Sequence, residues 1–401
     1  MESTTSFDIM APEVRANPYP FYARLRASAG LQRIEPTGHY LVARHADVVE
    51  ALRRVDDFSS LEMAKQIGPV TTLTEMLGVS LDDLPPTIIS SDNPTHDRLR
   101  HILSGRFTPR AVVSVEESVR RLTVSLLARL EQQGEFDLVR DFTVPLPVIV
   151  IAQMLGIEEA RYEDFKRWSD ALVRIVGSRG AERERYQGEM LELVRYLMEV
   201  AERRRVEPGE DLVSVLVQAA EDPARISGGE VLTYLVLLLV AGNETTTNLI
   251  GGMVEALLDE PDQLTRLASD PSLLHGAVEE GLRFCSPVQG LFRSATQDTM
   301  LGGEQIPRGA PMMICYASAN HDETQFPDPD RFDVTRDARG HVAFGLGLHF
   351  CLGAHLARRE ARVAIERLLP VLSRVRRARQ ERDYVESWFL RGPKTLPLHL
   401  V

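Results

Sequence analysis

A mainly α fold (α+β, with helices dominant and small β-sheets) is predicted for this sequence, as one large domain over residues 1–401. Segments 114–133, 159–177 and 184–205 carry apolar residues at three- and four-residue spacing with charges between them, as amphipathic helices do. A further apolar run, Val231–Asn243, lies inside a longer helical pattern. Alternating runs at His39–Ala43, Thr299–Ile306 and Pro311–Tyr316 are short and punctuated by Gly or Pro, which marks strands of a small sheet.

Composition narrows the function. At 401 residues and 44% hydrophobic, the chain buries a large core, and no linker or repeat divides it. A net charge of -12 argues against nucleic-acid and anionic-membrane binding, since both need a basic footprint. The opening MESTTSFDIMAPEVRANPYP has no basic region ahead of an apolar core, so no secretory signal is expected. The longest uncharged stretches, Phe142–Ile157 and Val231–Asn243, fall short of the roughly 20 residues a membrane span needs. Three cysteines, Cys285, Cys315 and Cys351, make a disulfide framework improbable, and a cytoplasmic protein is expected.

The central helix begins at SGGE, where Ser227 and Glu230 have capping-box spacing, and runs to Asp259 or Glu260, before Pro261. That is about 30 residues, or roughly 45 Å. Its first half is apolar on every face, as suits a helix through the middle of a globule. Then comes AGNETTTN, a run of poor helix formers. A threonine hydroxyl can bond the carbonyl four residues back, for Thr245 that of Ala241, and such bonding bends helices. A groove beside the acid Glu244 and the alcohol Thr245 is expected; the alternative is a core helix weakened by glycine.

The loop FGLGLHFCLG places Cys351 after Gly345 and Gly347, whose backbones reach angles closed to other residues. The helical pattern LGAHLARREARVAIERLL follows, so the sulfur stands at a helix N-terminus, where a thiolate is favoured. A structural cysteine would leave the glycines unexplained. A zinc site from His341, His349, Cys351 and His355 lacks the paired cysteines usual in structural sites. A haem-thiolate ligand needs one cysteine on one rigid loop, and fits best.

The stretch Phe344-Gly345-x-Gly347-x-His349-x-Cys351-x-Gly353 resembles the haem-binding signature of the cytochrome P450 family. Further matches stand in the family's order. AGNETT at 241–246 is similar to the oxygen-activation motif, with Glu where many members carry Asp; EEGLRF at 279–284 contains the ExxR pair Glu280 and Arg283. HDRLR at 96–100, FPDPDRFDVTR at 326–336 and the ending RGPKTLPLHL also resemble bacterial members, while His321 stands where arginine is frequent.

The resemblance implies a monooxygenase holding haem b (iron protoporphyrin IX) through Cys351, which is the metal ligand. It implies haem contacts at Ala241, Phe344 and Gly345, and propionate contacts at His96, Arg100, Arg293 and His349. His96 and Arg100 otherwise read as a solvated helix face. Glu280 and Arg283 otherwise read as an exposed i, i+3 pair; the resemblance implies instead a buried network completed by Arg331 or Arg336 that shapes the cysteine loop, and protons delivered to bound O2 by Thr245 and Glu244. Leu237, Val240, Val288, Leu291, Phe389 and Leu390 are the expected substrate lining, with the 59–90 loop and the 165–190 region closing the entrance. Such an aliphatic lining suits a terpenoid, steroid or fatty acid, to be hydroxylated or epoxidised.

The chain ends about 50 residues after Cys351, so electrons are expected from a ferredoxin served by an NAD(P)H-dependent ferredoxin reductase. Nine arginines against three acids between Leu352 and Arg382 suggest the docking patch, with Arg358, Arg359 and Arg362 as candidates. A peroxide-driven peroxygenase and a non-catalytic haem-based sensor are the alternative functions.

Overall fold

In the computed structural model, which describes residues 11–28, 30–34, 37–63, 85–174 and 180–401, the three periodic segments fold as helices. Thr95–Ser104 (α1) is followed by Pro109–Gln133 (α2), Tyr162–Arg174 (α3) and Gly180–Val206 (α4). The expected 159–177 helix starts with a 3-10 turn at Glu159–Arg161, and its last residues lie outside the described ones. Chain contacts divide the protein into two units: Ser60–Val119 with Val144–Glu244, and Met1–Ser59 with Arg120–Thr143 and Thr245–Val401.

The first unit has no strand among its described residues. Helix α4 buries Tyr186, Met190, Leu193, Leu197 and Val200, a three-and-four spacing that makes one apolar stripe. It packs on α3, with Trp168 and Tyr196 ring centroids 5.3 Å apart and the Trp168 Nε1–H donating to Glu192 at 3.1 Å.

Gly228–Asp259 (α5) is the central helix, and the capping box at its start is formed. The Ser227 N–H donates to Glu230 Oε2 at 2.7 Å, and the Glu230 N–H donates to Ser227 Oγ at 3.2 Å. The helix stops before Pro261, which opens the next one. Along its middle, Leu237, Val240, Ala241, Glu244 and Thr245 keep partial or full exposure, while Leu238, Leu239, Asn243 and Thr246 to Ile250 are buried.

Among the described residues, all twelve strands belong to the second unit. Leu31–Arg33 (β1), Tyr40–Val42 (β2), Phe58–Ser59 (β3), Leu291–Ala295 (β5) and Pro311–Ile314 (β8) form one sheet in the order β1-β2-β8-β5-β3. Only the β2–β8 pair is parallel, with Tyr40 opposite Met312. Glu135–Asp137 (β4), Val375–Arg377 (β9) and Pro397–Leu400 (β12) make a three-stranded sheet. Asp383–Tyr384 (β10) pairs with Pro393–Thr395 (β11).

The run Thr299–Ile306 is a hairpin and not one strand of the main sheet: Thr299–Leu301 (β6) turns back onto Glu304–Ile306 (β7). Gly302 and Gly303 take φ of +57° and +85°, the two positive angles a tight hairpin turn demands. The run Pro311–Tyr316 likewise ends as strand at Ile314, because Tyr316–Asn320 (α7) begins a short helix. Leu274–Cys285 (α6) and Ala354–Leu372 (α8) complete the frame around the cysteine loop.

Candidate active site

Cys351 is exposed, on a loop held by its own backbone. Its N–H donates to Phe344 O at 2.9 Å, and its carbonyl accepts at 3.4 Å from the N–H of Ala354, the first residue of α8. Gly345 and Gly347 have φ of +67° and +69°, so the loop requires both glycines. The Phe344 and Phe350 rings lie 6.2 Å apart, and the Arg358 guanidinium stands 4.5 Å from the Phe344 centroid.

Beneath the loop, Glu280 and Arg283 are fully buried. Arg283 grips Glu280 with two bonds of 2.6 and 2.9 Å and donates to the carbonyls of Asn320, Pro329 and Arg331. Of the two arginines the sequence offers, Arg336 supplies the side chain, its Nε–H reaching Glu280 Oε1 at 3.1 Å; Arg331 supplies a carbonyl. The Asn320 side chain extends the network to the cysteine loop by accepting from Val342 N at 2.7 Å. At His321 the ring nitrogens face Asp330 Oδ1 and Phe284 O, both at 2.9 Å. Burial lowers its pKa against the pull of Asp330.

Arg293 lies on β5, 5% exposed, with Nη1 donating to Phe292 O at 2.6 Å; His349 closes a 3-10 turn and is half-buried. His96 and Arg100 both lie on α1, one turn apart. His96 is buried, and burial lowers its pKa although Asp97 accepts from Nδ1 at 3.1 Å.

Within the second unit, an isolated bridge sets Val288 opposite Leu390, and Gln289 N donates to Phe389 O at 2.8 Å. Val288, Leu291, Phe389 and Leu390 are thereby gathered, all half-buried, with Phe389 edge-on to Phe292. In the first unit Leu237 and Val240 lie on the partly exposed stripe of α5. Residues 64–84 of the 59–90 loop and 175–179 of the 165–190 region lie outside the described residues.

The family model for cytochrome P450 matches residues 189–396. Cytochrome P450 107B1 of Saccharopolyspora erythraea is 40% identical over 390 residues, covering 94% of this chain and 93% of the relative. The chain belongs to the cytochrome P450 family. A vitamin D(3) 25-hydroxylase of Pseudonocardia autotrophica is 40% identical over 402 residues, covering 98% and 96% of the two chains. The solved structure of CYP109Q5 from Chondromyces apiculatus superposes with a TM-score of 0.88 at 43% identity and 98% coverage of both chains.

This P450 is therefore a monooxygenase enzyme with a haem iron cofactor, acting with O2 and a redox partner on small molecules. The donor set fits that cofactor: Cys351 offers one accessible soft sulfur for iron, and Arg293 and His349 offer nitrogen donors suited to carboxylates. It does not fit the zinc alternative. His341 is committed at both nitrogens, to Glu279 at 3.1 Å and to Ala343 N at 3.2 Å. No group of three or more His, Cys, Asp or Glu among the described residues is arranged to hold a metal. No described helix of this P450 is long and apolar enough to cross a membrane.

The arginine run past Leu352 looks different in space. Arg358 clamps Glu279 with bonds of 2.7 and 2.9 Å, Arg374 pairs with Glu131, and Arg377 and Arg382 both pair with Asp259. Burial raises the Glu279 pKa, but His341 and Arg358 outweigh it and hold the carboxyl at about 2. Acids distant in sequence thus offset much of the local excess.

Glu360 on α8 carried no signal in the sequence beyond its place among arginines. It is 2% exposed, its Oε2 has no hydrogen-bond partner among the described residues, and burial pushes its pKa up to about 8. A carboxyl raised in the folded state contributes stability in full below its unfolded pKa, near 4.5, and loses it as pH rises to about 8. Glu360→Gln is therefore expected to gain on the parent as pH rises from about 5 to about 8, by on the order of a few kcal/mol. Thermal unfolding across that range is the check, and parallel pH profiles for the two proteins would refute it.

Proposed function

We propose that this P450 hydroxylates C–H bonds, or epoxidises double bonds, of a lipophilic molecule such as a terpenoid, steroid or fatty acid. The observation that carries the reading is Cys351, exposed on a glycine-fixed loop braced by the buried Glu280–Arg283–Arg336 network. Aliphatic residues at Leu237, Val240, Val288, Leu291 and Leu390, with Phe389, support an apolar substrate, as does the likeness to a vitamin D(3) 25-hydroxylase. Such a lining excludes water and orients by shape, so it discriminates weakly between molecules of similar size.

Haem b, when bound, supplies the activation of O2. The Cys351 thiolate would hold its iron, His96, Arg100, Arg293 and His349 would donate to its carboxylates, and Ala241, Phe344 and Gly345 would contact it. The Thr245 hydroxyl would hold a proton at its Oγ1 for the reaction, and the Glu244 carboxyl would pass one inward from solvent. Both residues keep partial exposure on the α5 stripe, which supports this role. Residues 1–401 act as one catalytic domain in the cytoplasm. Electrons come from a small acidic ferredoxin reduced by a separate NAD(P)H-dependent reductase. Arg358, Arg359 and Arg362 are the candidates for its docking, although Glu279 clamps Arg358 and Glu366 pairs with Arg362.

The test is reconstitution with ferredoxin, reductase and NADPH. Thr245→Ala should be reduced and take up substrate like the parent, yet divert most NADPH equivalents into hydrogen peroxide and water. Coupling equal to the parent's would remove Thr245 from the proton path. Reduction by the reductase alone would remove the ferredoxin.

A further inference from the structure

Tyr316, the first residue of α7, is 3% exposed and packs in the core of the main sheet. Its hydroxyl points at the cysteine loop: a Cβ placed on Gly345 would lie 3.5 Å from that oxygen and 3.7 Å from the His349 carbonyl oxygen. Burial raises the Tyr316 pKa, Arg293 opposes the rise and Cys351 adds to it, so the phenol lies within electrostatic reach of both. A buried tyrosine hydroxyl ordinarily has a partner. Among the described residues no hydrogen bond uses this one, and its oxygen is not fully enclosed, which leaves room for a partner from outside the chain.

We infer that the Tyr316 hydroxyl donates a hydrogen bond to a haem carboxylate that Arg293 also holds, making Tyr316 a positioning residue for the cofactor. The inference rests on the reading of Cys351 as the haem ligand. The chemistry suits the place: a neutral donor adds a bond to a carboxylate without bringing a second cation beside the buried Arg293. A loop bent by a left-handed glycine at 345 leaves room for the hydroxyl, since van der Waals contact is all that an added Cβ would make there.

Haem release to an excess of acceptor protein tests this in the holoenzyme. Tyr316→Phe should release haem roughly tenfold faster than the parent, the effect of losing a hydrogen bond to a charged group. Its reduced carbon monoxide complex should keep the thiolate-type absorption band. Combined with Arg293→Gln, the effects should fall short of multiplying, because both groups serve one carboxylate. Release at the parent rate, fully multiplying effects, or a shifted band in Tyr316→Phe would overturn the assignment. A parent without the thiolate-type band would overturn the reading of Cys351, and this proposal with it.

Discussion

Cys351→His is expected to abolish both the thiolate-type carbon monoxide band and product formation, while leaving the fold in place. The bonds that shape the loop run through backbone atoms: Cys351 N to Phe344 O, Ala354 N to Cys351 O, and Phe350 N to Gly347 O. Each of these three bonds joins backbone atoms and so survives a change of side chain at 351. An exposed side chain outside the core contributes within about 0.5 kcal/mol to stability, so thermal unfolding of the apoprotein should barely move. Activity should nonetheless fall to background, because an imidazole does not push electron density toward the O–O bond as a thiolate does. A variant that keeps the band would show that another residue holds the iron.

The second large effect is structural. Arg283→Ala should destabilise the protein by about 3–5 kcal/mol, the usual result of removing one partner from a buried ion pair. Glu280, with no exposed surface, would lose two of its bonds and keep only those from Arg336 and Asp333 N. Three carbonyls, of Asn320, Pro329 and Arg331, would lose their donor together. Because Asn320 also accepts from Val342 N at the foot of the cysteine loop, the expected outcome includes poor haem retention in whatever protein folds. Equilibrium denaturation and the ratio of haem to protein measure the two parts. A variant as stable as the parent would mean that the network is dispensable.

These two cases differ in how much the sequence reveals. The Cys351 loop is legible because its evidence is local: glycines where φ turns positive, a cysteine, and a helix pattern directly after it. Capping of α5 by Ser227 and Glu230 is legible for the same reason. Glu280 and Arg283 are legible as a pair at i, i+3, yet their burial and their third partner are not. The strands show the converse weakness. Most have four residues or fewer, too few for alternation to stand out, and β5, which carries Arg293, gave no signal. Thr299–Ile306 misleads because two glycines read equally well as punctuation within a strand and as the turn of a hairpin.

By itself, then, the sequence determined the helix-rich class, the central helix, the cysteine loop and the family, since each depends on residues close together in the chain or on motifs in a fixed order. Tertiary structure alone decided that Arg336 and not Arg331 completes the buried network with its side chain, and that Glu131, Asp259 and Glu279 offset the arginine run after Leu352. It also decided that Glu360 is buried with its Oε2 lacking a hydrogen-bond partner among the described residues, and that Tyr316 turns its hydroxyl toward Gly345. The physical reason is common to all of these. Charge pairing and desolvation depend on distance through space, falling off over a few ångströms, and the residues concerned are brought together only when segments tens to hundreds of positions apart fold onto one another.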